Sequence, residues 1–185
     1  MKVILKNVRH AFPRFWEPKE YTPGDGRARY DFTPLIEPGS DNDKAIEAAI
    51  LAVATEAWGV KAAAKIKEFR PVKQQFAYRD GDTVENDGYT GMKFLGAHRR
   101  AADGPPTILN SDKTPLTEAS GKPYGGCYVN ASVDIYAVTK TNPGIFASFS
   151  VVQFAKDGDA FSAAAVRNTD DFEALDSGSA AEDLL

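Results

Sequence analysis

The stretch "CYVNASVDIYAV", residues 127–138, decides the fold class of this chain. Its apolar and polar residues alternate with a period of two, which is the period of an extended strand with one face in a core. The odd-numbered residues from Val129 to Ala137 point to one side, and the even-numbered residues from Tyr128 to Tyr136 point to the other. The pattern therefore predicts a half-buried β-strand.

Other stretches on both sides of this strand also have strand-like patterns. They are "KVILKNV" (2–8), "RARYDFTPLI" (27–36), "VKQQFAY" (72–78), "GMKFLGAHR" (91–99) and "IFASFSVVQFA" (145–155). Pro34 lacks an N–H donor, so we expect its strand to be an edge or to end there. Asp157-Gly158 predicts a hairpin turn. The stretch "AFPRFWEPKEYTPGDG" (11–26) contains three prolines and is expected to be a loop or an irregular edge.

One segment has the pattern of an amphipathic helix, "SDNDKAIEAAILAVATEAWG" (40–59). Ser40 and Asp43 have the spacing of an N-terminal cap, an apolar stripe recurs every three or four residues, and Gly59 suits the C-terminus. "VKAAAKIKEF" (60–69) predicts a second short helix or a continuation, ended by Pro71. We therefore expect a mainly β domain with one or two helices, whose five or six strands form a closed or partly open barrel without exposed edges.

Composition excludes several classes of protein. The 185 residues suit one domain. The sequence has no apolar run of about 18 residues, so we expect no membrane span. The apolar stretch at its N-terminus is too short for a signal peptide. Cys127 is alone, so it is expected to be a buried small hydrophobe in a reducing cytoplasm. Neither His10 nor His98 has metal-ligand spacing, and nucleotide-binding glycine motifs are absent. We expect no cofactor and no metal.

The charge is divided unevenly between the two predicted parts of the chain. The net charge is −4, and six acids lie in residues 170–185. Without those six, 20 acids remain against 22 Lys and Arg, so the rest carries about +2. We therefore predict a folded domain over 1–168 and a flexible acidic segment over 169–185, and acidic C-terminal tails are often interaction segments.

Basic and aromatic residues are interleaved in residues 9–21 and 70–100. Binding of single strands without sequence readout requires a basic groove for phosphates and aromatic faces for bases. Phe12, Phe15 and Trp16 could instead close the end of the barrel. The predicted DNA contacts are Phe12, Arg14, Trp16, Tyr21, Lys73, Tyr78, Arg79, Lys93, Arg99, Arg100, Tyr128 and Tyr136.

Two other classes of function stay open at this point. A metal-dependent nuclease could use acids such as Asp80, Asp82 and Asp87, although nothing singles out a carboxylate pair. A protein-interaction module would use the acidic segment as its working part.

The chain resembles the single-stranded DNA-binding proteins of tailed phages, once known only as a domain of unknown function. The resemblance is carried by "GKPYGGCYVNASVDIYAV" (121–138), "FSVVQFAKDGDAF" (149–161) and the opening "MKVILKNVR". It implies an OB-type barrel, sequence-tolerant binding of single-stranded DNA in the host cytoplasm, and a role in phage replication or recombination. It implies no catalysis, so we expect the protein not to be an enzyme.

The resemblance also gives the acidic segment an expected role. In such proteins an acidic tail with a hydrophobic tip binds replication or recombination proteins and competes with DNA for the basic groove. The residues that match this description are Asp170, Asp171, Phe172, Glu182, Asp183, Leu184 and Leu185.

Overall fold

The computed structural model describes residues 1–161, so the end of the predicted domain and the whole acidic segment lie outside the described residues. The strands are β1 (Lys2–Lys19), β2 (Arg29–Ile36), β3 (Tyr78–Asp80), β4 (Lys93–Leu95), β5 (Ala97–Arg100), β6 (Thr107–Leu109), β7 (Tyr128–Val138) and β8 (Gly144–Lys156). Two helices, α1 (Asp41–Trp58) and α2 (Ala62–Phe69), follow β2.

Five of these strands close into a ring in the order β1–β7–β8–β5–β2, because β2 also pairs with β1. All pairings in the ring are antiparallel except that of β5 with β8, which is a single parallel pair, Ala97 with Ala147. The strands β4 and β3 extend the sheet beyond β2, and β6 pairs with β8. The predicted mainly β, OB-like architecture is confirmed, with a five-stranded ring as its centre.

The strand that decided the fold class behaves as its alternation predicts. In β7, Val129, Ala131, Val133 and Ile135 are buried, whereas Tyr136 is exposed. The strand pairs with β1 on one side and with β8 on the other, so neither of its edges is free. The neighbouring Asp157-Gly158 turn differs from expectation, because β8 ends at Lys156 and no strand follows within residues 157–161.

The first part of the proline-rich stretch that was predicted as a loop or an irregular edge, residues 11–19, is instead the second half of β1, whereas residues 20–26 form the predicted loop. This strand pairs with β7 through its first half and with β2 through its second half. Register shifts accommodate the change of partner, and Asn7 and Phe12 take positive φ values of 51° and 50°. Bulges of this kind bend a strand and increase its twist, which lets one long strand contribute to two sides of a ring.

The expectation that Pro34 marks an edge or a strand end is also wrong. β2 has β1 on one side, where Pro34 lies opposite His10. On the other side, β2 pairs with β5 over residues 29–32 and with β4 over residues 35–36. Pro34 falls in the gap between these two partners, so a residue without an N–H is tolerated in a central strand. The predicted strand 91–99 is correspondingly divided into β4 and β5, with Gly96 between them.

The helices match the sequence pattern. The Ser40 hydroxyl accepts a hydrogen bond from the backbone N–H of Asp43 at 3.2 Å, which caps α1, and Gly59 ends the helix with φ 55°. The apolar stripe of α1 is buried in the main core, and α1 packs against β1 and β7. Phe15, Phe32 and Phe149 pack at the centre of that core with ring centroids 5.5–5.9 Å apart. The outward side of the ring is left to form a surface to which all five of its strands contribute.

Candidate nucleic-acid interface

The ring brings outward-pointing side chains from five strands onto one surface. The cross-strand pairs Arg14–Asp31, Asp31–His98 and Arg29–Arg100 connect β1, β2 and β5. Tyr136 of β7 lies opposite Phe146 of β8, which alternates with the buried Ile145 and Ala147. We call this surface the aromatic–cationic face, and it consists of Arg14, Tyr21, Arg29, His98, Arg100, Tyr136 and Phe146.

The aromatic rings of this face are open enough to contact a ligand. Tyr136 is 42% exposed and Tyr21 is 55% exposed, and Phe146 is half-buried. The Tyr136 and Phe146 rings have centroids 6.0 Å apart, and the Arg29 guanidinium lies 4.2 Å from the centroid of Tyr21. Exposed aromatic rings of this kind can stack against nucleobases, since every base has a π-face.

The polar side chains of the face surround one carboxylate. Asp31 Oδ1 lies 2.7 Å from His98 Nδ1 and 3.3 Å from Arg29 Nε, and Asp31 Oδ2 lies 3.5 Å from Arg14 Nε. The Tyr21 hydroxyl donates a hydrogen bond to the same carboxylate. Burial alone would raise the pKa of Asp31, but the hydrogen bonds from His98 and Tyr21 and the neighbouring charges of His98 and Arg29 outweigh it and lower that pKa. Asp31 is therefore ionised at neutral pH.

Two clefts extend this surface. The smaller, of about 440 Å³, lies beside the face and is lined by Arg29, His98 and Phe146 together with Lys73 and Arg79. The larger, of about 840 Å³, lies between α2 and β3–β4 and is also lined by Lys73 and Arg79. Lys73 and Arg79 thus stand between the two clefts, and together with the face they form a continuous basic path.

Tyr78 and Lys93 were predicted to contact DNA, but in the structure both have partners within the protein. Tyr78 is 1% exposed, and its hydroxyl donates to Asp43 Oδ1 at 2.7 Å, so its ring has no face open to a base. This burial corrects the sequence-based placement of Tyr78 among the stacking residues. Lys93 Nζ forms ion pairs with Asp43 at 2.9 Å and Glu47 at 3.4 Å, so its charge is already offset.

The predicted arginines differ in their partners. Arg99 Nε donates to the carbonyl of Gly104 at 2.7 Å, so its guanidinium holds the turn after β5 rather than extending freely from the face. Arg100 is exposed and pairs with Asp103 at 2.8 Å. The Arg79 guanidinium lies 4.5 Å from the Phe94 centroid, and burial lowers its pKa.

Three predicted aromatic residues lie away from the aromatic–cationic face or are partly covered. Tyr128 is at the other end of β7, where Lys156 Nζ lies 4.4 Å from its ring centroid. Phe12 is 61% exposed, with its ring 6.4 Å from that of Tyr89. Trp16 is partly buried against the main core. Of the predicted set, the structure therefore brings Arg14, Tyr21, Arg100 and Tyr136 together on the face and places Lys73 and Arg79 in the adjoining cleft.

Arg29, His98 and Phe146 belong to the face but were not among the DNA contacts predicted from the sequence. For Phe146 a signal was present, because "IFASFS" alternates and places Ile145, Ala147 and Phe149 inward and Phe146 outward. Arg29 and His98 gave no comparable signal, since their importance comes from cross-strand pairing.

The remaining polar candidates have local structural partners. Asp80 accepts a hydrogen bond from the backbone N–H of Asp82, and Asp82 accepts one from that of Gly91, so both carboxylates stabilise turns. Within residues 1–161, no three His, Cys, Asp or Glu side chains are grouped as metal ligands, and no helix is long and apolar enough to cross a membrane. The predicted burial of Cys127 is confirmed, and burial raises the pKa of its thiol to about 11.

Comparison with known proteins gives the family of the chain. The family model described as "Enterobacter phage Enc34, ssDNA-binding protein" matches residues 1–185. The protein described as putative protein p50 of Acyrthosiphon pisum secondary endosymbiont phage 1 is 39% identical over 178 residues, which is 95% of this chain and 94% of that protein.

Two solved structures share the fold. The single-stranded DNA-binding protein of bacteriophage Enc34 in complex with ssDNA matches with a TM-score of 0.65 at 22% identity, over 87% of this chain and 89% of that one. The single-stranded DNA-binding protein gp2.5 of bacteriophage T7 matches with a TM-score of 0.58 at 12% identity, over 94% and 98%. With a family match over its whole length and a relative that is 39% identical, the chain belongs to the family of the Enterobacter phage Enc34 ssDNA-binding protein.

Proposed function

We propose that this protein binds single-stranded DNA without reading its sequence and acts in phage DNA replication or recombination in the host cytoplasm. Membership of the family supports this function, as does the binding of single-stranded DNA by the two solved proteins with the same fold. The observation that carries the proposal is the aromatic–cationic face, which combines exposed rings with cations on one surface.

The proposed contacts follow from this geometry. Bases stack on Tyr136, Phe146 and Tyr21, and each stack on an aromatic side chain contributes about 1–3 kcal/mol. Phosphates bind to Arg29 and to the basic path along the clefts. Because this face offers rings and charges rather than a set of fixed donors and acceptors aimed at base edges, binding tolerates any sequence. Binding of this kind needs no catalytic group, and we propose that the protein is not an enzyme.

Of the other residues predicted from the sequence, we retain Phe12, Trp16, Arg99 and Tyr128 as proposed contacts of a longer strand. The acidic segment is proposed to bind replication or recombination proteins, through Phe172, Leu184 and Leu185 as apolar anchors among its acids.

The test is binding of fluorescent oligo-dT by Tyr136→Ala and Phe146→Ala variants of the full chain. Each should weaken binding by about 1–3 kcal/mol, the contribution of one stack. Tyr136→Phe is the matched control, because it keeps the ring and should keep the affinity. Unchanged affinity in both alanine variants, with unchanged melting temperatures, would show that the strand binds elsewhere.

A further inference from the structure

An acidic side chain at the centre of a surface proposed to bind a polyanion needs an explanation. Asp31 is such a residue, and its side chain is only 10% exposed. Its partners come from four parts of the chain: β1 (Arg14), the β1–β2 connection (Tyr21), β2 itself (Arg29) and β5 (His98). A carboxylate in this position reduces the attraction of its neighbouring cations for phosphate.

The consequence differs between single-stranded and duplex DNA. Phosphates of either form must compete with Asp31 for Arg14 and Arg29. A single strand also offers unstacked bases to Tyr136 and Phe146, whereas the bases of a duplex are stacked inside it. The carboxylate opposes the phosphates of both forms, so a difference between them requires a contribution that only a single strand receives.

Asp31 also holds the aromatic part of the site in place. The Tyr21 hydroxyl donates to the carboxylate while the Tyr21 ring lies 4.2 Å from the Arg29 guanidinium, so one side chain fixes both a ring and a cation. Removal of the carboxylate would release Tyr21 and reduce its contribution to stacking, which affects single strands only.

We propose that Asp31 is a selectivity residue, which makes the aromatic–cationic face prefer DNA with exposed bases over DNA that offers phosphates alone. This inference rests on the proposed function. It assigns a role to the chain's own carboxylate that is separate from DNA contact, because Asp31 acts through Arg14, Arg29 and Tyr21.

The test is Asp31→Asn in the full chain, with dissociation constants for oligo-dT and for a duplex of the same length at low salt. Removing one negative charge a few ångströms from a bound phosphate should tighten duplex binding by about 3- to 10-fold. Single-strand binding should change by less than about 2-fold, because the gained attraction and the released Tyr21 oppose each other. The preference for single strands should therefore fall.

Asp25→Asn is the matched control for net charge. Asp25 is exposed in the same β1–β2 connection, and its carboxylate accepts only the N–H of Arg27 among the hydrogen bonds of the described residues. The control should keep the wild-type preference. An equal loss of preference in both variants, or an undiminished preference in Asp31→Asn, would overturn the inference.

A second comparison avoids any effect of Asp31→Asn on folding. The charge of Arg14 is offset by Asp31, whereas Lys73 has no ion pair within residues 1–161. Arg14→Gln should therefore reduce the duplex affinity of the protein less than Lys73→Gln does. An equal or larger loss for Arg14→Gln would contradict the inference. If the wild-type chain itself did not bind oligo-dT, the proposed function would fail; wild-type binding with an unaltered Asp31→Asn preference would remove only the role of Asp31.

Discussion

At the scale of single residues, the cations of the basic path differ in whether a carboxylate already offsets them. Lys73 is exposed, lines both clefts and has no ion pair in the described part of the chain, whereas Lys93 is held by Asp43 and Glu47. Sequence alone gave the two lysines equal weight as phosphate-binding residues. The partners of Lys93 lie about 50 residues away along the chain, on α1, so they could not be inferred from the residues next to it.

The two lysines should therefore respond differently to neutralisation. Each phosphate of single-stranded DNA that a protein no longer neutralises reduces the slope of log K against log salt by about 0.7. Lys73→Gln should show this reduction, and Lys93→Gln should show little of it. Titrations of oligo-dT at several salt concentrations measure both slopes. Equal slopes for the two variants would contradict the assignment of Lys73.

His10 affects the stability of the fold rather than DNA binding. It is fully buried between Phe15 and Phe32, with Nε2 3.4 Å from Cys127 Sγ. Burial lowers its pKa from 6.5 to about 4. Because the unfolded chain binds this proton more readily, stability is full above about pH 6.5 and is lost as the pH falls towards 4.

Between pH 7.5 and pH 5, the free energy of unfolding should fall by about 2 kcal/mol through His10. Urea unfolding at the two pH values measures the difference. His10→Gln, which cannot be protonated, should show a smaller loss than the wild-type chain. An identical loss in both would mean that other groups account for the pH dependence.

At the scale of elements, the local alternation of β7 and the caps of α1 were sufficient for prediction, because both depend on near neighbours in the chain. β1 was predicted to break at its prolines, since the two partners that hold it extended, β2 and β7, are distant in sequence. The same limit applies to the site. Tyr136 could be selected from its own strand, whereas the position of His98 beside Asp31 depends on the β2–β5 register.

β7 carries a tyrosine near each end, and the two should differ in how they meet DNA. Tyr136 belongs to the aromatic–cationic face, whereas Tyr128 lies eight residues away beside Lys156, or about 26 Å along an extended strand. A short oligo-dT should protect Tyr136 from chemical modification, and only a longer one should also protect Tyr128. Mass spectrometry of the modified peptides reads out both positions. Tyr136 that reacts equally with and without DNA would contradict the proposed interface.

At the scale of the whole molecule, the charge is divided between a body of about +2 and an acidic segment of −6. A tethered acidic segment has an effective concentration in the millimolar range and can compete with DNA for a basic path. The segment lies outside the described residues, so this expectation comes from the sequence.

Deletion of residues 170–185 changes the net charge from −4 to about +2. The shortened chain should bind oligo-dT more tightly than the full chain, most clearly at low salt, where screening is weakest. Leu184→Ser with Leu185→Ser is the matched control, because it keeps the charge and should leave DNA affinity nearly unchanged. Equal or weaker low-salt binding by the shortened chain would show that the segment does not compete with DNA.

The central claim is that the chain binds single-stranded DNA through stacking as well as charge, and the most direct measurement compares oligo-dT with a duplex of the same length over a range of salt concentrations. We expect tighter binding of the single strand at every concentration. We also expect single-strand binding to persist at salt concentrations that abolish duplex binding, because stacking is not screened. Equal affinities for the two forms, or tighter binding of the duplex, would contradict the claim.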